Sequence, residues 1–160
     1  FLCSNVFCNY TEESTCAQEA RRLTADAKNQ GDAVRAIYTY IVNTIDYDSQ
    51  KATSVATVTG YVPSPDQTLS SKKGICFDYA SLAAAMFRSI GIPCKIITGY
   101  VSPDDIYHAW NMVYIDGEWK TAHFAVKANE WTRVDLTFAA GSGDTDFIGD
   151  GSNYTDRYTY

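Results

Sequence analysis

Several features that would assign a chain of this size to a familiar class are missing. No run of about 18 apolar residues is present, so no segment is suited to span a membrane as a helix. The first residues, Phe1 to Ser4, lack the basic start and the apolar stretch of a signal peptide. Basic residues are scattered and the net charge is −6, which argues against nucleic acid or an anionic membrane as the main partner.

Metal and redox chemistry also lack the residues they need. Cys3, Cys8 and Cys16 have no histidine near them to complete a zinc site. No C-x-x-C pair occurs, which argues against redox chemistry between Cys76 and Cys94. The acidic stretch near the C-terminus does not have the spacing of an EF-hand loop. We therefore expect no metal and no cofactor.

What is present is the composition of an ordinary globular protein. The 160 residues are 46% hydrophobic and 20% charged, which suits one domain over 1–160. The five cysteines are an odd number, so at least one of them is free in a monomer. A disulfide among the first three, or one that reaches Cys94, would imply export. We expect a monomer that is exported or held at the cell surface.

The order of the elements predicts an α+β fold. Apolar spacing predicts helices over about 11–28, 32–46 and 76–89, with a long polar connection at 48–73. Strands are predicted over about 92–101, 107–115, 118–126 and 131–138, with an edge strand at Tyr158 and Tyr160. Asp116-Gly117 is a strong hairpin signal. Helices followed by consecutive strands indicate a mainly antiparallel sheet.

Cys76 begins the third predicted helix, directly after Gly74-Ile75. A thiol there is close to the positive end of the helix dipole and to the N–H groups of the first turn. Both favour the thiolate, so we expect a pKa below that of a free thiol and a nucleophilic cysteine. The alternative is a buried cysteine that serves only as a small apolar residue.

A cysteine nucleophile needs a base, and the chain has only two histidines, His108 and His123. On a strand, His108 shares a face with Trp110 and Met112. If that face packs on the third helix, His108 can reach Cys76. The alternative is a hydrogen-bonded histidine that lies beside an aromatic ring.

The histidine in turn needs an acceptor on its other ring nitrogen. Asp135 lies in an apolar run, where an unpaired carboxylate would be costly to bury, and a histidine partner would explain it. Asp116 and Glu118 are the other candidates. Asp116 already has a role in the turn, and Glu118 is expected to be solvated.

Five blocks of the sequence together resemble the transglutaminase-like superfamily. They are Gly74-Ile75-Cys76-Phe77-Asp78-Tyr79-Ala80, Gly91-Ile92-Pro93-Cys94-Lys95-Ile96-Ile97-Thr98-Gly99-Tyr100, His108-Ala109-Trp110-Asn111, Asp116-Gly117-Glu118-Trp119 and Val134-Asp135-Leu136-Thr137-Phe138. The resemblance covers about residues 32–138, and the chain is similar to small bacterial members of the superfamily. It implies a papain-like cysteine-protease fold, in which a helix with the nucleophile packs on an antiparallel sheet. It also implies a Cys76–His108–Asp135 triad.

The spacing after the hairpin departs from the family pattern. There the aspartate follows a tryptophan by four residues, but four residues on from Trp119 is His123. Trp131 and Asp135 have the required spacing, so residues 120–130 are interpreted as an insertion. The alternative places His123 in the triad, which would leave two histidines without an acid.

These residues predict acyl transfer by a thiol. The Cys76 N–H is one candidate to stabilise the oxyanion, with Tyr47 or Gln67 as the second donor. We expect a cysteine peptidase or amidase that acts on a peptide or protein. Transglutaminase cross-linking uses the same acyl-enzyme and is the first alternative. A non-catalytic binding module on the same fold is the second.

Overall fold

The computed structural model describes residues 1–56, 59–101, 106–122 and 154–160. Its elements, in chain order, are α1 (Thr15–Leu23), α2 (Gln30–Thr44), β1 (Asp46–Tyr47), α3 (Ser49–Val55), α4 (Pro65–Ser71), β2 (Lys73–Gly74), α5 (Cys76–Ser89), β3 (Cys94–Val101), β4 (Ile106–Ile115), β5 (Glu118–Ala122) and β6 (Tyr154–Thr159). The predicted α+β class is confirmed.

Helix α5 lies at the centre of the core. Helices α1, α2 and α4 contact it, and strands β3 and β4 also pack on it. Every residue from Asp78 to Arg88 is buried, so this helix has no solvent-facing side over that length. The small Ala80 and Ala83 allow close approach, while Leu82 and Phe87 bury large apolar surfaces. Each such side chain contributes about 1.5–3 kcal/mol when fully buried.

The main sheet is antiparallel, and its described strands follow the order β5-β4-β3-β6. Asp116 and Gly117 both have positive φ, 55° and 82°, and close the β4–β5 hairpin as predicted. Tyr158 lies in β6, next to β3, and Tyr160 exchanges backbone hydrogen bonds with Ile96. The predicted strand is therefore confirmed, and it is the last in the order of the strands that the structure describes.

The predicted polar connection at 48–73 is wrong, because it contains two short helices. Oδ1 of Asp48 accepts the Lys51 N–H (2.9 Å) and so caps α3. Helix α4 begins with proline at its first position, where the missing N–H costs nothing. Both signals are present in the sequence.

The first two predicted helices are shorter or shifted, while the third, α5, has the predicted bounds. Helix α1 begins at Thr15 rather than near residue 11. Asn29 is the N-cap of α2, and its side chain accepts the Asp32 N–H (2.8 Å). Strand predictions over 123–126 and 131–138 lie outside the described residues, and the single-domain boundary stays a prediction.

The face of β4 that packs on α5 is the opposite of the expected one. Ala109, Asn111 and Val113 are buried against the helix, and Nδ2 of Asn111 donates to the Ala80 carbonyl of α5 (2.9 Å). His108 and Trp110 alternate to the other face. Trp110 on that face is also buried, whereas Tyr114 on the same face is exposed.

All five cysteines have free thiols. Cys8, Cys16 and Cys94 are fully buried, and burial raises the pKa of Cys8 to about 11. Among the described residues, no three His, Cys, Asp or Glu side chains form a group that could hold a metal ion. None of the helices in the described part of the chain has the length and hydropathy to cross a membrane.

Arg88, near the end of α5, joins three distant segments. Its guanidinium is buried and donates to the main-chain oxygens of Cys94 (2.7 and 2.9 Å), Cys3 (2.8 Å) and Tyr160 (3.0 Å). The N-terminal lead, strand β3 and the residue after β6 thus meet on one side chain.

Replacing Arg88 with methionine should lower the free energy of unfolding by about 3 kcal/mol. Methionine keeps the apolar stem but removes the donors to the Cys94 and Cys3 oxygens, at a cost of about 1–3 kcal/mol for each buried group left unsatisfied, while the Tyr160 oxygen keeps the Ile96 N–H. Urea unfolding followed by circular dichroism measures the change. Arg35→Met, on an exposed position of α2, is the matched control and should stay within about 0.5 kcal/mol of the parent. Equal effects of the two substitutions would contradict the role of Arg88.

Candidate active site

Cys76 is the first residue of α5, and its thiol is partly exposed. Burial raises the pKa of this thiol above its ordinary value, and the nearby Asp78 carboxylate adds to the rise. Hydrogen bonds from the backbone N–H groups of Ala109 and Phe77 lower the pKa but do not offset burial. The expectation of a depressed thiol pKa is therefore wrong, because desolvation outweighs the helix N-terminus.

Cys76 and His108 line one cavity of about 560 Å³. The thiol reaches it from the start of α5, and His108 reaches it from β4, next to the Ala109 N–H that contacts the sulfur. The ring of His108 stacks on Trp110, with centroids 6.4 Å apart and planes 18° apart. The buried indole therefore restricts the orientation of the imidazole.

Tyr47 lies in the same cavity because of the short parallel pair β1–β2. Its Cα is in register with Gly74, two residues before the thiol, and the Asp48 N–H donates to the Gly74 carbonyl (2.9 Å). Burial, and to a lesser degree the charge of Cys76, raises the pKa of the Tyr47 hydroxyl. The structure thus brings together Cys76, His108 and Tyr47.

Gln67 is not brought to this cavity. It is an exposed residue of α4 and lines a separate cavity of about 290 Å³, together with Lys51 and Asp78. Its lining does not include Cys76.

The acid that would orient His108 stays a prediction. Asp135 and His123 both lie outside the described residues. Of the alternatives, Asp116 is in the hairpin turn with its side chain 75% exposed and 3.8 Å from the Lys120 ammonium. Glu118 is exposed too, as expected for a solvated residue.

Asp78, in the first turn of α5, is a site residue that the sequence reasoning missed. Its side chain is fully buried. Oδ2 accepts the Ile75 N–H (2.9 Å) and lies 2.7 Å from the Lys51 ammonium, while Oδ1 accepts the Tyr61 hydroxyl. The Lys51 ammonium is also 5.0 Å from the centroid of the Tyr61 ring. We name Lys51, Tyr61 and Asp78 the buried-acid cluster.

This cluster fixes the start of α5. Burial and the Asp78 carboxylate raise the pKa of Tyr61 to about 12, so its hydroxyl stays a donor at neutral pH. Burial lowers the pKa of Lys51, but hydrogen bonds to Asp78 and Tyr61 more than offset this and raise it. An acidic residue at the third position of a helix is a capping signal in the sequence. The contacts with α3 are tertiary and have no such signal.

Gly74 makes room for this cap rather than for the thiol. A Cβ at this position would lie 2.7 Å from the Cβ of Asp78 and 3.2 Å from Cγ2 of Thr68.

Similarity to known proteins identifies the family of this chain. The model of the transglutaminase-like superfamily matches residues 17–136, and the chain belongs to this family.

Individual relatives are more distant. Kyphoscoliosis peptidase of Mus musculus is 29% identical over 133 residues, which cover 77% of this chain and 18% of that protein. The chain therefore spans less than a fifth of the length of this curated relative. A "Putative Cysteine Protease" from Cytophaga hutchinsonii superposes with a TM-score of 0.67 at 20% identity, over 99% of this chain and 45% of the other. A structure described as a TGase superposes with a TM-score of 0.55 at 20% identity, over 79% and 31%. At these identities the two structures support the fold alone.

Proposed function

We propose that the protein is a thiol-dependent acyl-transfer enzyme that hydrolyses an amide bond in a peptide or protein. Cys76 is the nucleophile, His108 the general base and Asp135 the acid that orients the imidazole. The observation that supports the proposal is the shared cavity, which both Cys76 of α5 and His108 of β4 line. Membership of the transglutaminase-like superfamily supports the same chemistry.

The first half of the reaction forms an acyl-enzyme. His108 accepts the thiol proton as the sulfur of Cys76 attacks the carbonyl carbon, so that a C–S bond forms and the S–H bond breaks. The Cys76 N–H and the Tyr47 hydroxyl are the donors we assign to the oxyanion. The C–N bond then breaks, and the imidazolium gives its proton to the leaving amine.

Water completes the reaction. His108 takes a proton from water, the hydroxyl oxygen attacks the thioester, and the C–S bond breaks to return the thiol. Because the pKa of the Cys76 thiol is raised, the proton moves to His108 during attack rather than beforehand.

Transamidation is the second candidate, because a lysine amine can replace water at the thioester. The structural likeness to a TGase favours this alternative as far as fold allows. We keep hydrolysis as the proposed activity, because the curated relative is named a peptidase.

A substrate assay separates the two reactions. The protein is incubated with a mixed peptide pool, and new amino termini are counted by mass spectrometry. Glutamine–amine cross-linking is measured in parallel, with and without calcium. We expect cleavage by the parent and by Cys3→Ala, which removes an exposed thiol, and a loss of at least about 1,000-fold in Cys76→Ala. Cross-linking without cleavage would overturn the proposal of hydrolysis.

We also make proposals about the cellular location and the oligomeric state. We propose a monomer that is exported or at the cell surface, as the sequence predicts. The five free thiols offer no disulfide in support of export.

A further inference from the structure

Helix α3 builds one wall of the cavity that holds Cys76 and His108. Ala52 and Val55 of α3, and Ala56 just after its end, line this wall, and Ile75 and Phe77 continue it beside the thiol. We name Ala52, Val55, Ala56, Ile75 and Phe77 the apolar wall. None of the described residues that line the cavity is Asp, Glu, Lys or Arg.

The apolar composition of this wall disfavours a substrate whose side chain in the cavity is charged and favours one whose side chain is apolar. A charged side chain that enters the cavity loses water and finds no opposite charge on the described lining, which makes its binding unfavourable. An apolar side chain that covers Val55 and Phe77 removes apolar surface from water on both partners.

The wall is held in place by the buried-acid cluster. No residue of α3 is buried, so its position does not come from a core side chain. Lys51, in the same helix as Ala52 and Val55, forms its 2.7 Å ion pair with Asp78 of α5. The apolar wall is thereby tied to the helix that begins with the thiol. Because its position near the reacting sulfur is fixed before substrate binds, the wall is complementary to side chains of one shape and polarity. It therefore favours substrates that carry such a side chain.

We propose that the apolar wall is a specificity subsite. It accepts an apolar side chain of the acyl substrate, on the peptide residue next to the carbonyl that Cys76 attacks. This inference rests on the proposed function and adds to it the chemical class of the substrate. Lys51 is a positioning residue, which acts on the substrate through the placement of α3.

The test uses three alkylating probes that differ only beyond the reactive carbon. They are iodoacetamide, N-isobutyl iodoacetamide and N-(2-carboxyethyl) iodoacetamide. Second-order rates at Cys76 are measured by mass spectrometry and divided by the rates with glutathione, which removes intrinsic reactivity. In the parent protein we expect the isobutyl probe to react on the order of tenfold faster than the carboxyethyl probe.

Variants locate the preference on the wall. Val55→Lys should reduce the ratio of isobutyl to carboxyethyl rates to about one, because its ammonium attracts the carboxylate and removes the apolar contact, and the nearly isosteric Val55→Thr should reduce it by a smaller factor. Thr53→Lys adds the same charge to an exposed position of α3 that does not line the cavity, and should keep the parent ratio. Lys51→Met should reduce the ratio, and Lys51→Arg should restore it. Because each ratio is taken within one protein, changes in thiol pKa cancel.

Two different failures are distinguishable. If Cys76 reacts no faster than glutathione with plain iodoacetamide, the proposed nucleophile fails. If Cys76 is reactive but the parent shows no preference for the isobutyl probe, the subsite is wrong while the nucleophile stands. An unchanged preference in both Val55 variants would also overturn the subsite.

Discussion

Replacement of His108 with alanine is expected to slow alkylation of Cys76 by iodoacetamide about 100-fold at pH 7. Burial raises the pKa of the thiol, so the isolated thiol is mostly protonated at neutral pH and unreactive. In the parent protein His108 accepts the proton as the sulfur attacks. In the variant the rate should rise with pH up to the raised pKa, so the difference between the two proteins narrows as the solution becomes alkaline.

His123→Ala is the matched control, since it removes the only other histidine. It should leave the rate and the pH profile unchanged. A slower rate in this variant would favour the alternative that places His123 in the site. Cys94 is an internal reference within each sample, because its thiol is fully buried and should react only after unfolding. Parent-like alkylation of Cys76 in His108→Ala would contradict the assignment of the base.

Replacement of Asp78 with alanine is expected to lower the free energy of unfolding by about 3 kcal/mol. The substitution leaves the Ile75 N–H without its acceptor and removes the partner of the Lys51 ammonium and the Tyr61 hydroxyl. Lys51 retains 30% exposure and can turn towards water, which keeps the loss at the lower end for a broken buried pair. Urea unfolding measures the change.

Asp32→Ala is a close control, because Asp32 holds the same third position of α2 that Asp78 holds in α5. Asp32 is exposed, so its loss should cost at most about 1 kcal/mol. A double-mutant cycle with Lys51→Met should give a coupling energy above about 1 kcal/mol between Lys51 and Asp78. If both aspartate variants lose the same stability, burial of Asp78 has no special role.

The sequence predicts the elements whose signals are local. The periodic apolar run of α5 and the Asp116-Gly117 turn are set by neighbours in the chain, and both are found where expected. Helices α3 and α4 are seven residues each and largely polar. Their stability depends on the Asp48 cap of α3, on proline at the first position of α4 and on the parts of the chain beside them, so periodicity alone does not reveal them.

The candidate site was only partly predictable for a similar reason. Cys76 and His108 follow from residue types and order, and the structure places them in one cavity. The prediction of which face of β4 packs on α5 is wrong. Ala109 and Trp110 lie on opposite faces and both are buried, so apolar residues do not mark a single core side of this strand. Asp78 lies within one of the matching sequence blocks. Its partner Lys51 is in α3, and only the tertiary structure brings the two residues together.

The contacts of Arg88 also bear on the order in which the chain folds. Its guanidinium joins a residue 85 positions earlier to one 72 positions later, so these bonds close long loops of the fold. Loop closure of this kind costs entropy before it gains contacts and belongs late on the folding route. The Arg88 side chain then contributes little to the rate of folding, and its main effect is to lower the rate of unfolding.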